Sequence, residues 1–320
     1  MSKSENILSV IVLTYKPNWD KLRNTVLSIV LQKDINFEII ISDDGSQENH
    51  FDKLQTLFSS IYFTKYVLVE STNNTGTVKN LQRAIEVAKG NYIKDISPGD
   101  YLYSEYILKE WLDFVIENNI LVSFGKAVYY NADEKFSIIS HRSVPKYIKG
   151  YRDSLNKDVR KEYLLLDDMA LGAAFLGKKD VINEYLSKMV DKVTLGEDFL
   201  FTLMVFNGVE LKLFNKNVVW YEFGHGVSTS GDRIFSDIML KDWENMHTLL
   251  LDFDRTDLFS IRFLIYIKLY NALNNKFLKR LLRYVVLPDT LIWKFKVSKN
   301  VEYTDTDVDM SFLDSITLKH

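Results

Sequence analysis

The chain reads as an α/β protein with a mostly parallel central sheet, helices on both faces of it, and a C-terminal helical extension. Three observations predict this. Short apolar runs bounded by turn residues alternate with stretches whose apolar residues recur at helical spacing, the pattern of strand–helix–strand crossovers. The runs are continuously apolar rather than alternating, as strands covered on both faces are. From Asp232 onward the pattern is helical and no strand is predicted.

The elements follow in order. Residues 8–13 form the first strand: the run is far too short to span a bilayer, and it passes directly into Thr14, Tyr15, Lys16 and Pro17 without a small-residue cleavage site. Leu22, Val26, Ile29 and Val30 make the stripe of a first helix, and residues 37–42 a second strand. A third strand is predicted over 66–70, then a helix carried by Val78, Leu81, Ile85 and Ala88 and closed by Gly90. Residues 92–97 give the fourth strand, Ile107, Trp111, Phe114 and Val115 the next helix, and residues 120–128 the fifth strand. Residues 129–139, around Asn131, Ala132 and Asp133, read as a hairpin. Beyond it lie a helix over 155–166, a short strand over 173–176, a helix from Lys179, another over 197–206 and a strand over 211–221. A soft boundary near residue 230 divides a 1–230 domain from a helical extension over 231–300 and an acidic tail over 301–320, of which 302–309 is expected to be mobile. There is no internal repeat.

Composition narrows the chemistry. With 47% hydrophobic and 26% charged residues, 13 Gly and 4 Pro, the chain is neither disordered nor fibrous. The absence of cysteine excludes a disulfide framework, thiolate metal sites and a cysteine nucleophile, and it fits a reducing compartment. A net charge of −3 gives no global attraction to nucleic acid. Charge is uneven, however. Between residues 255 and 300 ten Lys and Arg stand against Asp257 and Asp289 alone, a local charge of +8 that leaves −11 for the rest. Aromatic residues are interleaved with these bases, as in basic amphipathic surface helices. Two uses fit: a helical cap or homodimer contact with its lysines in water, or peripheral contact with an anionic leaflet. The best candidate for a membrane span, 258–270, is broken by Arg262 and Lys268, so a cytoplasmic protein is expected, at most touching the inner face of the membrane.

Four polar clusters are candidate chemistry. Thr14 and Tyr15 end the first strand and Ser42-Asp43-Asp44-Gly45-Ser46 the second, and in open parallel sheets ligands bind outside such strand ends. The carboxylates there suit a base N–H or ribose hydroxyls, and equally a plain Asx turn. Asn73-Asn74-Thr75-Gly76 opens a helix bearing Lys79, Asn80 and Arg83, which fits either an anion at a helix N-terminus or simple capping. Ser97-Pro98-Gly99-Asp100 follows the fourth strand, where a carboxylate meets a divalent ion bridging a diphosphate, although one acid makes a poor metal site. Last come Gly196-Glu197-Asp198 at a helix start, which reads as catalytic or as charge–dipole capping, and a late loop with His225, Ser228 and Arg233.

Taken together, the strand at 9–15, the Asp43-Asp44-Gly45-Ser46 turn, the Asn74-x-Gly76 helix start with Asn80 and Ala84, Gly90-x-Tyr92-Ile93 and Gly196-Glu197-Asp198 resemble the inverting glycosyltransferase family 2, of GT-A fold. The resemblance covers about residues 7–230 and rests on the joint order of the motifs. It implies a nucleoside diphosphate sugar donor, most often of UDP, and transfer of a hexose or N-acetylhexosamine to a surface glycan, lipid-linked or glycoprotein acceptor. It further implies that Thr14, Tyr15, Asp43, Asp44, Asn74, Gly76 and Lys79 bind the nucleotide. Asp198 corresponds to the catalytic base with Glu197 beside it, and His225, Ser228 and Arg233 to a diphosphate or acceptor loop. Mn²⁺ or Mg²⁺ is implied on Asp100, against a departure: the family's Asp-x-Asp string reads Ser97-Pro98-Gly99 here, and Asp95 is the only other acid nearby. That departure makes a non-catalytic sugar-nucleotide-binding or scaffold subunit the rival reading. A sugar nucleotidyltransferase is disfavoured because no Gly-rich segment follows the first strand, a dehydrogenase because no strand leads into G-x-G-x-x-G, and a kinase or NTPase because no Gly-Lys-Ser/Thr is present.

Overall fold

The computed structural model describes residues 8–132, 136–153, 156–224, 233–303 and 305–317. A first crossover block consists of β1 (Leu8–Thr14), α1 (Trp19–Val30), β2 (Phe37–Asp43), α2 (Phe51–Ser60), β3 (Tyr66–Glu70), α3 (Thr77–Val87) and β4 (Tyr92–Ile96). It is followed by β5 (Tyr101–Leu102), α4 (Ile107–Glu117), β6 (Val122–Asn131), β7 (Ser137–Ile138), α5 (Ile148–Arg152), α6 (Asn156–Leu166), β8 (Phe175–Lys178), α7 (Lys179–Met189), α8 (Phe199–Asn207) and β9 (Leu211–Glu222). Five helices complete it: α9 (Arg233–Leu250), α10 (Leu258–Ala272), α11 (Lys276–Val286), α12 (Asp289–Ser298) and α13 (Ser311–Thr317).

The apolar runs become strands because both faces are covered. Along β1, Val10 and Val12 pack on the side of α1, α2 and α4, while Ile11 and Leu13 pack on the side of α3, α7 and α8. Nine strands form one sheet in the order β3-β2-β1-β4-β8-β6-β9-β5, with β7 on β6. The sheet is mostly parallel, as expected: β3, β2, β1 and β4 run parallel, and so do β6 and β9. The exceptions are β8, antiparallel between β4 and β6, β5, antiparallel to β9, and β7 on β6. A short apolar run carries no signal of direction, so the reversal at β8 is not legible in the sequence.

The chain leaves β1 toward β2 on one side and returns to β4 on the other, so the sheet changes winding direction between β1 and β4. A crevice opens at such a switch point, outside the strand ends. It is here that Thr14 and residues 97–100 face each other across the motif-bearing loops.

The helical extension beyond residue 230 shares a core with the rest: Met246, Leu249, Phe263, Tyr266 and Trp293 pack in the same cluster as Ile11, Val78 and Phe199. Beyond 302–309, α13 buries Leu313 and Ile316 with Tyr101, Val128 and Trp220. Gly90 does not cap α3, which ends at Val87; the Gly90 N–H donates to Ser9 Oγ (2.9 Å). Helix α2, with Leu54 and Phe58 buried, and the short β5 were not foreseen. No described helix is long and apolar enough to cross a membrane.

Candidate active site

Two corners form the crevice. At the first, β2 ends in a pair of buried acids. Asp43 accepts from Thr14 Oγ1 (2.8 Å) and from the Ser46 N–H and Oγ (both 2.7 Å), closing an Asx turn onto β1. Asp44 accepts from the N–H groups of Thr75 (3.0 Å) and Gly76 (2.7 Å), from Thr75 Oγ1 (2.8 Å) and from Arg83 Nη2 (2.6 Å). A carboxylate has about four acceptor positions, and Asp44 has filled them. Asp43 thus ties β2 to β1, and Asp44 fixes the start of α3. Exposed groups of this corner include Tyr15, Lys16, Asn73 and Asn74. Asn74 and Lys16 beside the Tyr15 hydroxyl hold its pKa below the usual tyrosine range. Lys79 does not join them: it reaches Asp191 at the surface (3.4 Å), and Arg83 is the cation paired with Asp44.

Gly76 couples this corner to the second. Its φ is +93°, and a Cβ there would lie 2.4 Å from the Thr194 carbonyl oxygen, which also accepts from the Val78 N–H (3.1 Å). The N-terminus of α3 thus rests directly on the loop that leads to Glu197 and Asp198. That loop is held from behind by Asp242 of α9, a buried acid whose two oxygens accept from the N–H groups of Thr194 (2.9 Å), Leu195 (2.6 Å) and Gly196 (3.1 Å).

Asp198 stands at the N-cap position of α8 yet makes no side-chain capping bond, so the capping reading does not describe it. Its carboxylate lies instead on Gly172, where a Cβ would approach Oδ1 to 1.8 Å. Burial and the charge of Asp95 push the Asp198 pKa up to about 7, against the pull of the Gly172 backbone and Lys94. Glu197 is raised well above the carboxylate range by burial and by Asp198. Lys94, wholly buried in β4, donates to the Asp95 carbonyl, and burial lowers its pKa while Asp95, Asp100 and Asp198 oppose the fall.

Asp100 is at the other side of β4. Its Oδ1 accepts from the Glu222 N–H (3.0 Å), and burial pushes its pKa up to about 8. Gly99, at φ +104°, is where the resemblance expects an acid, and a Cβ there would meet Glu222 Oε2 at 2.3 Å. The Glu222 carboxylate from β9 therefore fills the place of the missing side chain, with Lys21 donating to its Oε1 (2.7 Å). No group of three or more His, Asp or Glu able to hold an ion by itself occurs among the described residues. Asp100 and Glu222 fit a hard cation only in the way that suits Mg²⁺, as one or two carboxylates completed by substrate phosphates. His225 and Ser228 lie outside the described residues, and of Arg233 only the backbone, which opens α9, is described.

Sequence reasoning missed Gly172, Asp242, Glu222 and Lys21. Only Glu222 left a trace, as an acid at the end of a predicted strand; the others act across long sequence separations.

A parallel half-sheet with a crevice at its switch point, a mixed second half and an acid-bearing helix start is the architecture of the GT-A fold. Residues 9–186, more than half of the chain, match the family described as Glycosyl transferase family 2. The chain belongs to that family. It is 28% identical over 171 residues to a poly(ribitol-phosphate) beta-glucosyltransferase of Bacillus spizizenii, a match covering 52% of this chain and 24% of the relative. It is 22% identical over 123 residues to an uncharacterized glycosyltransferase of Haemophilus influenzae, covering 38% and 48%. The matches thus span about a quarter and about half of those relatives' lengths. Among solved structures the fold resembles S. aureus TarS 1–349 in complex with UDP-GlcNAc (TM-score 0.57, 17% identity, 92% of this chain and 83% of that one). It also resembles the mannosyltransferase PcManGT of Pyrobaculum calidifontis in complex with GDP-Man and Mn²⁺ (TM-score 0.54, 13% identity, 92% and 76%).

Proposed function

We propose that the chain transfers a hexose or N-acetylhexosamine from a UDP-sugar to a hydroxyl of a growing surface glycan, with inversion, at the inner face of the membrane. The observation that carries this reading is the Asp198 carboxylate. It is unspent on its own helix, seated on Gly172 beside Asp95, and its pKa lies near 7, where a general base works best at neutral pH. Asp198 takes the proton of the acceptor hydroxyl as that oxygen attacks the anomeric carbon, and the diphosphate leaves from the opposite face. Thr14, Tyr15, Asn74 and Gly76 receive the nucleotide at the first corner, with Asp43 and Asp44 holding those loops in shape. Asp100 and Glu222 would hold Mn²⁺ or Mg²⁺, and such an ion would supply charge neutralisation of the leaving group. Lys21 orients the Glu222 carboxylate.

UDP-GlcNAc bound to one structural neighbour, and a polyol-phosphate polymer named as acceptor of one relative, support the choice of donor and acceptor class. The test is a thermal-shift series with UDP-GlcNAc, UDP-glucose and GDP-mannose, with Mn²⁺ or with EDTA, since a ligand that binds only the folded state raises its melting temperature. A UDP-sugar should stabilise most, and Mn²⁺ should add to its effect while doing little alone. Donor binding with neither hydrolysis nor transfer would leave a sugar-nucleotide-binding subunit as the better description.

A further inference from the structure

Helices α10, α11 and α12 lie side by side as a platform on the C-terminal side of the molecule. Their inner residues are ordinary core: Phe259, Phe263, Tyr266 and Ile267 from α10, and Thr290, Trp293 and Val297 from α12. Their outer residues are not ordinary surface. Leu258 is 73% exposed, Phe277 72%, Val285 69%, Ile292 68% and Phe295 62%. Eleven of the twenty-one large apolar side chains exposed among the described residues fall on these three helices. Helix α11 buries no residue, although Phe277, Leu278, Leu281 and Val285 recur along one of its faces at helical spacing. A concentration of this kind on a folded surface marks a contact.

The charges identify the occupant. Lys268, Lys276, Lys279 and Arg280 have no acidic partner among the described residues, and Lys279 lies over the Tyr270 ring (4.2 Å). Lys299 likewise lies over Phe295 (4.1 Å). Basic side chains whose ammonium groups lie over surface aromatic rings, beside exposed apolar side chains, suit the boundary between lipid headgroups and acyl chains. A second copy of the chain is the poorer occupant, because a symmetric contact would bring two basic patches together. We infer that α10–α12 form a docking face for an anionic lipid bilayer, with Phe277, Leu281, Val285 and Phe295 entering the interface and Lys276, Lys279 and Arg280 meeting the headgroups.

The platform is rigidly joined to the catalytic body. Arg283 of α11 donates to Asp167 (3.0 Å), and Trp293 stands edge-on to Tyr147 (5.8 Å between ring centroids). Asp167 lies shortly before Gly172, on which Asp198 rests. Docking therefore fixes the acceptor side of the crevice relative to the bilayer, which deepens the proposed reaction by naming its membrane partner and rests on that reading only for its purpose.

The experiment is flotation of the full chain with phosphatidylcholine vesicles and with vesicles containing phosphatidylglycerol, at low and high salt, alongside light scattering and UDP-sugar hydrolysis. The expected result is retention by the anionic vesicles only, about tenfold weaker at high salt as the charges are screened. Phe277→Ser with Leu281→Ser, and separately Lys276→Gln with Lys279→Gln and Arg280→Gln, should each weaken retention at least tenfold and leave melting temperature and donor hydrolysis unchanged. These positions contribute nothing to the buried core, so folded variants are expected, and circular dichroism verifies it. Wild type that ignores anionic vesicles overturns the inference. So does a wild-type dimer that the Ser variant converts to monomer, since the face then belongs to a second copy. Hydrolysis that fails while vesicle binding persists counts against the proposed reaction and not against the docking face.

Discussion

Asp44 and Asp198 are both acids at the mouth of the same sheet, each beside a helix N-terminus, and they are used in opposite ways. Asp44 meets four donors and neutralises Arg83; the chain has consumed its capacity. Asp198 declines the capping bond its position offers and sits against Gly172 and Asp95, where burial and a like charge raise its proton affinity. A saturated carboxylate holds geometry, whereas an under-bonded one near pKa 7 is suited to proton transfer. The difference teaches that an acid in a motif is assigned by what surrounds its oxygens, since residue type and helix position are shared by both.

The sharpest way to break the comparison is to remove each charge. Asp198→Asn keeps shape and volume but cannot accept the proton, so kcat should fall by about 10² to 10⁴ with donor affinity kept. The melting temperature should hold or rise, because a buried charge that raised its own pKa is gone. Asp44→Ala should do the reverse. It strands the Arg83 guanidinium and the Thr75 and Gly76 N–H groups, at a cost of about 3 kcal/mol in denaturant unfolding. An Asp198→Asn enzyme with near-normal turnover removes the base assignment, and an Asp44→Ala protein of normal stability returns that acid to the nucleotide.

A smaller effect is expected at Asp242, which touches no substrate in this reading and positions the base loop through three N–H groups. Asp242→Asn turns one acceptor into a donor facing those groups. About a tenfold loss in kcat is expected with KM for the donor nearly unchanged, and Asp242→Glu should recover part of it. A loss confined to melting temperature would make Asp242 a core acid and nothing more.

Asp242 also shows where the sequence stops being legible. Periodicity placed α1, α3 and α4 because an amphipathic stripe is a local signal, and the motif order placed the corners because each motif ends a strand or starts a helix. What joins the corners is not local. The Gly76 contact with Thr194, the Asp242 clamp beyond the presumed boundary and the return of Glu222 to the place of a side chain at Gly99 all come from strands and helices far apart in the chain. Gly99 read as a lost acid; in three dimensions Glu222 brings a carboxylate there from β9. The amphipathic α10–α12 segment was visible in composition, but which of its faces remains uncovered depends on how the platform lies on the body.

The smallest expected effect tests the cause of the contrast itself. A base works only when deprotonated, so kcat/KM should fall tenfold per pH unit below a midpoint near 7, the value to which Asp198 is pushed up in the free protein. Had Asp198 been solvated as an ordinary carboxylate, the midpoint would lie near 4. Burial is the larger cause and the Asp95 charge the second, with the Gly172 backbone and Lys94 opposing. Asp95→Asn removes only the like charge. Protonation of Asp198 then relieves less repulsion, its proton affinity drops, and the acid limb should move downward by under one pH unit. Lys94 tempers the shift, because Asp95 also supports the charged form of that buried ammonium, and a Lys94 that loses its proton more readily pulls less on Asp198. A limb that stays near 7 in Asp95→Asn assigns the whole displacement to burial. A limb that rises instead makes Lys94 the dominant neighbour, and the contrast between the two acids then rests on a buried cation rather than on a like charge.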